Sequence, residues 1–310
     1  MKKFLIFDID HTISTFDHDS GMESLEKHMR ARQDKFDAAM AKRICALMDR
    51  SYAAFHAKAK GLESPDREKI EALINDAAQE VEGLDNFSDI RWSRELWIYL
   101  AGGGSISPAT AVEAAGHFWQ GLHEAAGLYD DARKFFGWLN AWPDGYNYRK
   151  TPEERWKTIF VTSSDARLTA SHDNLRLFYT PQHSALMKLS RVQRILPIST
   201  FTPTRTIENL KRFVYVGDPV SKPHPEFWQR VISSIGYNPN EDLAIMTGDS
   251  PRSDLSGLDK FGIVPILIDR NGDFTPPEVP HAKYIISSLE DLKNIMKIEY
   301  LNRKEKVERR

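Results

Sequence analysis

The sequence is poor in the features that mark secreted, membrane-spanning and nucleic-acid-binding proteins. One cysteine, Cys45, excludes an internal disulfide framework and a structural zinc site built from cysteines. The formal net charge of −2 provides no global field for nucleic acid or an anionic membrane. No stretch approaches the roughly 20 apolar residues that span a bilayer. Acids follow the first apolar run directly, so this run is not the core of a signal peptide. We therefore expect a cytoplasmic protein without a membrane partner or a nucleic-acid polymer as partner.

The fractions of hydrophobic and charged residues are those of an ordinary globular protein. Hydrophobic residues make up 41% and charged residues 28% of the 310 positions, which excludes wholesale disorder. This length suits two domains, or one domain that carries a large insertion.

The start and the second half of the chain alternate between strand and helix patterns. Short apolar runs predict buried strands at 4–7, 158–161, 243–246, 264–268 and 284–286. Helical patterns are found at 130–139, 225–235 and about 289–296. Strands separated by helices predict right-handed crossovers and a Rossmann-like parallel sheet, so the fold class is α/β.

The stretch between the first two strands has a different, helical character. Residues 22–60 contain neither glycine nor proline and carry apolar residues at helical spacing, which predicts one long helix or two abutting ones. We therefore predict an α/β core at 1–14 and 125–298, a helical cap at 15–124 and a frayed, basic C-terminal tail at 299–310. Three glycines at 102–104 form either a flexible interhelix turn or a loop that closes on a substrate.

Acidic residues follow two of the predicted strands. Asp8 and Asp10 come directly after the first apolar run, where open α/β sheets bind ligands. Two carboxylates crowded together are costly unless a cation or a shared proton relieves them. Asp249 and Asp254 follow the 243–246 strand in the same way. If the two strands are neighbours, the acids converge on a site that suits Mg²⁺.

Two further segments suit an anionic substrate. Thr162 and Ser163 end the 158–161 strand and offer hydroxyl and backbone N–H groups to a phosphate. Lys222 is a cation on a proline-stiffened loop before a predicted helix.

In their order along the chain, the four segments that contain Asp8, Thr162, Lys222 and Asp249 resemble the motifs of the haloacid dehalogenase superfamily of phosphohydrolases. The first motif of that family, D-x-D-x-T after an apolar strand, matches 8–12, and its second, a strand that ends in threonine or serine, matches Thr162. Its third, a lysine often followed by P-x-P, matches 222–225, and its fourth, G-D-x-x-x-x-D, matches 248–254. The helical insertion lies where this family carries its first type of cap.

The resemblance implies a role for each motif residue. Asp8 is the nucleophile that forms an aspartyl-phosphate, and Asp10 is the general acid and then the base. Thr162 and Ser163 bind phosphoryl oxygens, and Lys222 offsets negative charge. Mg²⁺ is held by Asp8, by the backbone carbonyl of Asp10 and by Asp249. Asp254 either binds a metal-bound water or orients Lys222.

Asp10 indicates the class of reaction. A halide leaves without a proton, so a dehalogenase has no use for an acid two residues after its nucleophile, whereas a phosphate ester does. We therefore expect a Mg²⁺-dependent phosphatase that acts on a small phosphorylated metabolite or nucleotide. A phosphotransferase, such as a sugar-phosphate mutase, and a non-enzymatic binding protein on a retired catalytic fold stay open as rival functions. The sequence also leaves the oligomeric state open.

Overall fold

The computed structural model describes residues 1–15, 17–31, 114, 117, 118, 121, 125, 127–140, 144–162, 214, 215 and 222–309. These residues divide into two compact units. The first unit contains Met1–Thr15, 127–140, 144–162, 214, 215 and 222–309, and the second contains 17–31 and the described residues from 114 to 125. The predicted division between a core at 1–14 and 125–298 and a cap at 15–124 stays a prediction, because most of 15–124 lies outside the described residues.

A parallel β-sheet forms the centre of the first unit. Its six described strands are β1 (Lys3–Asp8), β2 (Trp156–Val161), β3 (Val214–Tyr215), β4 (Leu243–Gly248), β5 (Val264–Ile268) and β6 (Tyr284–Ile286). They lie in the order β3-β2-β1-β4-β5-β6, and all of the pairs are parallel. The chain therefore adds strands on one side of β1 first and on the other side afterwards, as in other Rossmann-like sheets.

Apolar side chains cover both faces of this sheet. Along β1, Leu5 and Phe7 point into one cluster and Phe4 and Ile6 into the other, because successive side chains of a strand alternate between faces. Each fully buried side chain of this size contributes about 1.5–3 kcal/mol to stability. The continuous apolar run of β1 follows from burial on both faces.

Three described helices cover the faces of the sheet. They are α2 (Asp130–Asn140), α3 (Pro225–Ile235) and α4 (Leu292–Glu308), and α1 (His18–Ala31) belongs to the second unit. Phe135 and Phe136 of α2 and Ile295 of α4 pack on one face, and Phe227 and Trp228 of α3 pack on the other. The helices predicted at 130–139 and 225–235 are confirmed.

Local sequence explains where α3 begins and ends. His224 precedes Pro225, and its Nδ1 accepts a hydrogen bond from the backbone N–H of Glu226 at 3.3 Å. At the other end, Gly236 adopts a left-handed conformation with φ of 63° and donates back to the last turn of the helix. The proline that fits a first turn and the glycine that fits a left-handed cap therefore bracket the helix.

All five predicted strands are present, but β3 was not predicted. Val214 and Tyr215 pair with the end of β2, and the pairing matches Phe160 with Val214. The strand is two residues long, which is too short to show an alternation of apolar and polar residues. The apolar run at 213–216, which Gly-Asp-Pro follows in the sequence, is the signal that could have indicated it.

The predicted C-terminal tail at 299–310 is wrong as a separate, frayed segment. The helix predicted at about 289–296 continues as α4 to Glu308. No glycine or proline interrupts the sequence after 289, and ion pairs one turn apart join Lys304 to Glu308 at 3.7 Å and Arg309 to Glu305 at 3.4 Å. Glu299 is itself buried and accepts a hydrogen bond from Lys283 Nζ at 2.7 Å.

The described part of the second unit is helical. Leu25 and Met29 of α1 are buried, and a Cβ atom on Gly21 would lie 2.7 Å from the ring of Phe118. Gly21 therefore allows the two segments to approach closely. Within the described residues, no helix combines the length and hydropathy needed to cross a membrane.

Candidate active site

The order of the strands brings the two acidic segments side by side. β1 ends at Asp8, and Asp249 directly follows the end of β4. The two strands are neighbours, with Phe7 paired to Thr247. Because the chain leaves β1 and β4 in opposite directions, their carboxyl ends form the crevice where open α/β sheets bind ligands.

Three carboxylates converge in this crevice. One carboxylate oxygen from each of Asp8, Asp249 and Asp254 lies within 4.8 Å of the other two. The Nζ atom of Lys222 lies between two of these acids, 2.6 Å from Asp254 Oδ1 and in direct hydrogen-bond contact with Asp8 Oδ1. The carboxylate of Asp10 is not part of this group of three.

A tight turn after β4 delivers Asp254 to the cluster. Residues Pro251–Leu255 form a single wide helical turn, and the backbone N–H of Ser250 donates to Asp254 Oδ2 at 2.9 Å. A Cβ atom on Gly248 would lie 2.4 Å from Asp254 Oδ2, which no side chain tolerates. Asp254 can therefore reach Lys222 only because position 248 has no side chain.

Burial and crowding shape the electrostatics of the cluster. Burial raises the pKa of the Asp8 carboxyl to about 7; the charges of Asp254 and Asp10 add to the rise, and Lys222 opposes it. Burial, with help from Asp254 and Asp8, also raises the pKa of Asp249 well above its usual range. For Lys222, burial alone would lower the pKa, but the carboxylates of Asp254 and Asp8 outweigh burial and raise it.

The residues present fit a divalent cation. Three ionised carboxylates against one ammonium leave two negative charges in a mostly buried crevice. Burial first, and the neighbouring acids second, raise the pKa values of Asp8 and Asp249, so a second cation beside Lys222 would favour the ionised carboxylates. Mg²⁺ takes carboxylate oxygens together with waters and substrate phosphate, so the carboxylates of Asp8 and Asp249 suit it as direct ligands, while Asp254, beside them, holds Lys222. The predicted backbone ligand at Asp10 stays a prediction.

The loop after β1 contributes a contact that the sequence did not predict. Thr12 is buried, and its hydroxyl donates to Asp249 Oδ1 at 3.1 Å. The threonine of the D-x-D-x-T pattern therefore ties the loop of Asp8 and Asp10 to the other acidic segment. The pattern itself is the signal for Thr12, but the partner 237 positions away is visible only in the fold.

The predicted phosphate-binding residues are described only in part. Thr162 is buried and directly follows β2, whose last residue Val161 pairs with Asp8. The backbone N–H of Thr162 donates to the carbonyl of Tyr215 at 3.0 Å. Ser163 lies outside the described residues. His224, on the lysine loop, caps α3 and does not belong to the carboxylate cluster.

Arg270 is the residue near the site that sequence reasoning missed. It follows β5, at the same edge of the sheet as Asp8 and Asp249, and its guanidinium donates to backbone carbonyls of the loop after β1. An arginine shortly after a predicted strand was the signal, but nothing local indicates its partners.

Comparisons with known proteins agree with this architecture. No family model matches the chain. The chain is 27% identical over 173 residues to (S)-2-haloacid dehalogenase 4A of Burkholderia cepacia, across 55% of this chain and 62% of that protein. The match thus spans less than two thirds of the length of that relative.

Alignments with two of the similar solved structures cover nearly the whole chain. The protein YfnB of Bacillus subtilis, described as a putative HAD-hydrolase and solved with bound magnesium, has a TM-score of 0.53 at 15% identity and covers 95% of this chain and 98% of its own. The 2-haloacid dehalogenase of Pseudomonas syringae pv. Tomato DC3000 has a TM-score of 0.50 at 14% identity and covers 96% and 99%. With its parallel sheet and the acids at the ends of β1 and β4, the chain has the fold of the haloacid dehalogenase superfamily of hydrolases.

Proposed function

We propose that this protein is a Mg²⁺-dependent phosphatase that hydrolyses a small phosphomonoester through an aspartyl-phosphate. The observation that carries the proposal is the buried Asp8 carboxylate, which contacts Lys222 and lies in a cluster of three acids, with Asp10 two residues further on. Lys222 and a divalent cation at this point would together offset the charge of the three acids and so reduce their repulsion of an incoming phosphate.

The chemistry proceeds in two half-reactions. In the first, an oxygen of Asp8 attacks the phosphorus atom in line, the bond to the leaving oxygen breaks, and Asp10 donates a proton to that oxygen. In the second, Asp10 accepts a proton from a water molecule that attacks the same phosphorus. The phosphate then leaves and the Asp8 carboxylate is restored.

The remaining residues of the site position and balance charge. Lys222 offsets the charge of Asp8 and of the phosphoryl oxygens, and Asp254 holds Lys222 by the contact at 2.6 Å. This contact favours orientation of Lys222 as the role of Asp254. Mg²⁺, held by Asp8, Asp249 and the Asp10 carbonyl, would neutralise charge that develops on the phosphoryl group. Thr162 and Ser163 would bind phosphoryl oxygens.

A dehalogenase is the second candidate, because the Burkholderia relative carries that activity in its name. Displacement of a halide by Asp8 needs no proton donor at Asp10. The three clustered carboxylates and the acid at position 10 therefore favour a phosphate ester over a haloacid.

A phosphotransferase and a non-enzymatic binding protein would use the same site. The phosphotransferase would form the same aspartyl-phosphate and return the phosphoryl group to a bound substrate instead of water. A binding protein on a retired catalytic fold would have lost one of the charged residues, whereas Asp8, Asp10, Lys222 and Asp249 are all present. The substrate class, a small phosphorylated metabolite or nucleotide, rests on the predicted cap; the glycines at 102–104 lie outside the described residues.

One panel of substrates separates these functions. We expect inorganic phosphate to be released from at least one phosphomonoester among sugar phosphates, organic acid phosphates and nucleotides, only when Mg²⁺ is present, and no halide from 2-chloropropionate. Halide release without phosphate release would establish the dehalogenase. Transfer of labelled phosphate between sugar positions, without net release, would establish the phosphotransferase.

A further inference from the structure

Arg270 joins the loop that carries Asp10 to the rest of the sheet unit. Its Nη1 donates to the carbonyl of His11 and its Nη2 to the carbonyl of Thr12, both at 2.8 Å. These two carbonyls belong to the residues that directly follow Asp10. The arginine lies 259 positions further along the chain than His11, so the contact depends wholly on the tertiary fold.

The loop needs such an anchor because its backbone is strained. His11 has φ of 57°, in the left-handed region that a residue with a side chain rarely adopts. The loop satisfies some of its backbone groups internally: the carbonyl of Ile9 accepts from Ile13 and Ser14, each at 3.0 Å. The carbonyls of His11 and Thr12 instead point out of the loop, where Arg270 binds them.

Arg270 is itself held by two neighbouring side chains. The Asp131 carboxylate, at the start of α2, accepts from Nη2 at 2.9 and 3.0 Å, and the ring of Tyr129 lies 3.9 Å from the guanidinium. Asp131 is oriented in turn by the backbone N–H of Leu289 at 2.9 Å. The planar fork of an arginine presents its donors to two carbonyls and a carboxylate in a fixed geometry, whereas the donors of a lysine all lie on one nitrogen.

The backbone around Arg270 is fixed as well. The buried carboxylate of Asp269 accepts from the N–H groups of Asp273 at 3.0 Å and Phe274 at 2.8 Å and so closes the turn after β5. Arg270 therefore extends from a rigid turn to a strained loop.

We propose that Arg270 is a positioning residue that sets the conformation of the 9–14 loop and, through it, the position of the Asp10 carboxylate for proton transfer. The role in proton transfer by Asp10 rests on the proposed phosphatase function. The effect of Arg270 on the conformation of the loop does not depend on that function. Thr12 also connects the 9–14 loop to the carboxylate cluster, because its carbonyl accepts from Arg270 and its hydroxyl donates to Asp249.

Arg270→Met tests the effect on the loop without any assay of activity. It removes the guanidinium and keeps a long apolar side chain. We expect amide hydrogen exchange to speed up in a peptide that covers residues 5–15. Arg155→Met is the matched control, because Arg155 also donates to a backbone carbonyl, that of Lys150 at 3.2 Å, and lies near the ring of Tyr148, but at the amino end of β2. Unchanged exchange in Arg270→Met would overturn the proposal.

The second test compares leaving groups. An alkyl phosphate needs the proton of Asp10, whereas a nitrophenyl phosphate leaves readily without it. We therefore expect kcat/KM of Arg270→Met to fall about 10²-fold for alkyl phosphates and less than about 10-fold for nitrophenyl phosphate, with Mg²⁺ dependence retained. A parallel fall for both esters would overturn the role of Arg270 in positioning Asp10.

If Arg270→Met does not fold, Asp131→Asn takes its place in both tests, because it weakens the hold on Arg270 and keeps an oxygen for Leu289. If the wild-type protein releases no phosphate from any ester, the proposed function fails, and hydrogen exchange alone decides whether Arg270 sets the conformation of the loop.

Discussion

At the scale of single residues, Asp8 and Asp10 differ in what their replacement by asparagine removes. Asp8→Asn should abolish phosphate release, because an amide does not attack phosphorus. Asp10→Asn should retain the nucleophile and lower kcat by about 10²–10⁴, the usual contribution of proton transfer. Steady-state phosphate release at saturating Mg²⁺ measures both. Asp259→Asn, at an exposed position of the same unit, is the control and should keep wild-type turnover.

More than a few per cent of wild-type turnover in Asp8→Asn would contradict covalent catalysis by Asp8. Equal losses of kcat/KM, which reports the first half-reaction, from Asp10→Asn for alkyl and nitrophenyl esters would contradict an acid role for Asp10.

Gly248 is a second residue whose effect follows from one distance. In Gly248→Ala the new Cβ would lie 2.4 Å from Asp254 Cβ, so Asp254 must move away from Lys222. We expect overpacking to lower the free energy of unfolding by about 1–3 kcal/mol and phosphate release to fall together with it. Gly137→Ala, in α2 with no atom within 4 Å of the new Cβ, should instead stabilise by about 0.5–1 kcal/mol. Denaturant titration measures both, and equal effects would contradict the steric argument.

At the scale of secondary-structure elements, Asn147 joins the end of α2 to the start of β2. Its side-chain amide donates to Asn140 Oδ1 at 2.8 Å and to the carbonyl of Trp156 at 3.0 Å, and its oxygen accepts from the N–H of Trp156 at 2.9 Å. Asn147→Ala would leave these buried groups unpaired, so we expect a loss of about 1–3 kcal/mol in the free energy of unfolding. The exposed Asn271→Ala is the control, with an expected change within about 0.5 kcal/mol. The same midpoint and slope in urea for both variants would contradict this role of Asn147.

The helix α4 shows how an element extends beyond its local signal. Apolar periodicity ends near Met296, and the rest of the helix is charged and mostly exposed. Helix-forming residues, ion pairs one turn apart and the buried carboxylate of Glu299 continue it to Glu308. A solvent-exposed helix lacks the apolar stripe by which periodicity is recognised, so the sequence suggested a tail.

At the scale of the whole molecule, the carboxylate cluster should couple metal binding to stability. Mg²⁺ that binds the folded protein and not the unfolded chain stabilises it, by about 2.7 kcal/mol at a concentration roughly 100 times Kd. We expect Mg²⁺ to raise the midpoint of thermal unfolding of the wild-type protein and to raise it much less in Asp249→Asn. Differential scanning calorimetry with and without Mg²⁺ measures the shift, and Asp259→Asn should respond as the wild type does. An equal shift in Asp249→Asn would contradict a metal site at Asp249.

The sequence by itself determined the elements and the chemistry of the acids. Short apolar runs bounded by turn residues indicated five strands, because a strand that is buried on both faces is a continuous apolar run in the sequence. Proline after His224 and glycine at 236 marked the ends of α3, since capping also depends on local residues. The four motifs that contain Asp8, Thr162, Lys222 and Asp249, in this order along the chain, carried the family resemblance.

Only the tertiary structure decided which of these residues meet. The placement of β1 beside β4 brings Asp8 to Asp249, and the wide turn after Gly248 carries Asp254 to Lys222. The contact of Arg270 with the loop after Asp10 left no local pattern, because its partners lie far away along the chain. Periodicity and capping report the surroundings of a residue along the chain, whereas contacts across a sheet depend on strand order, which the fold as a whole determines.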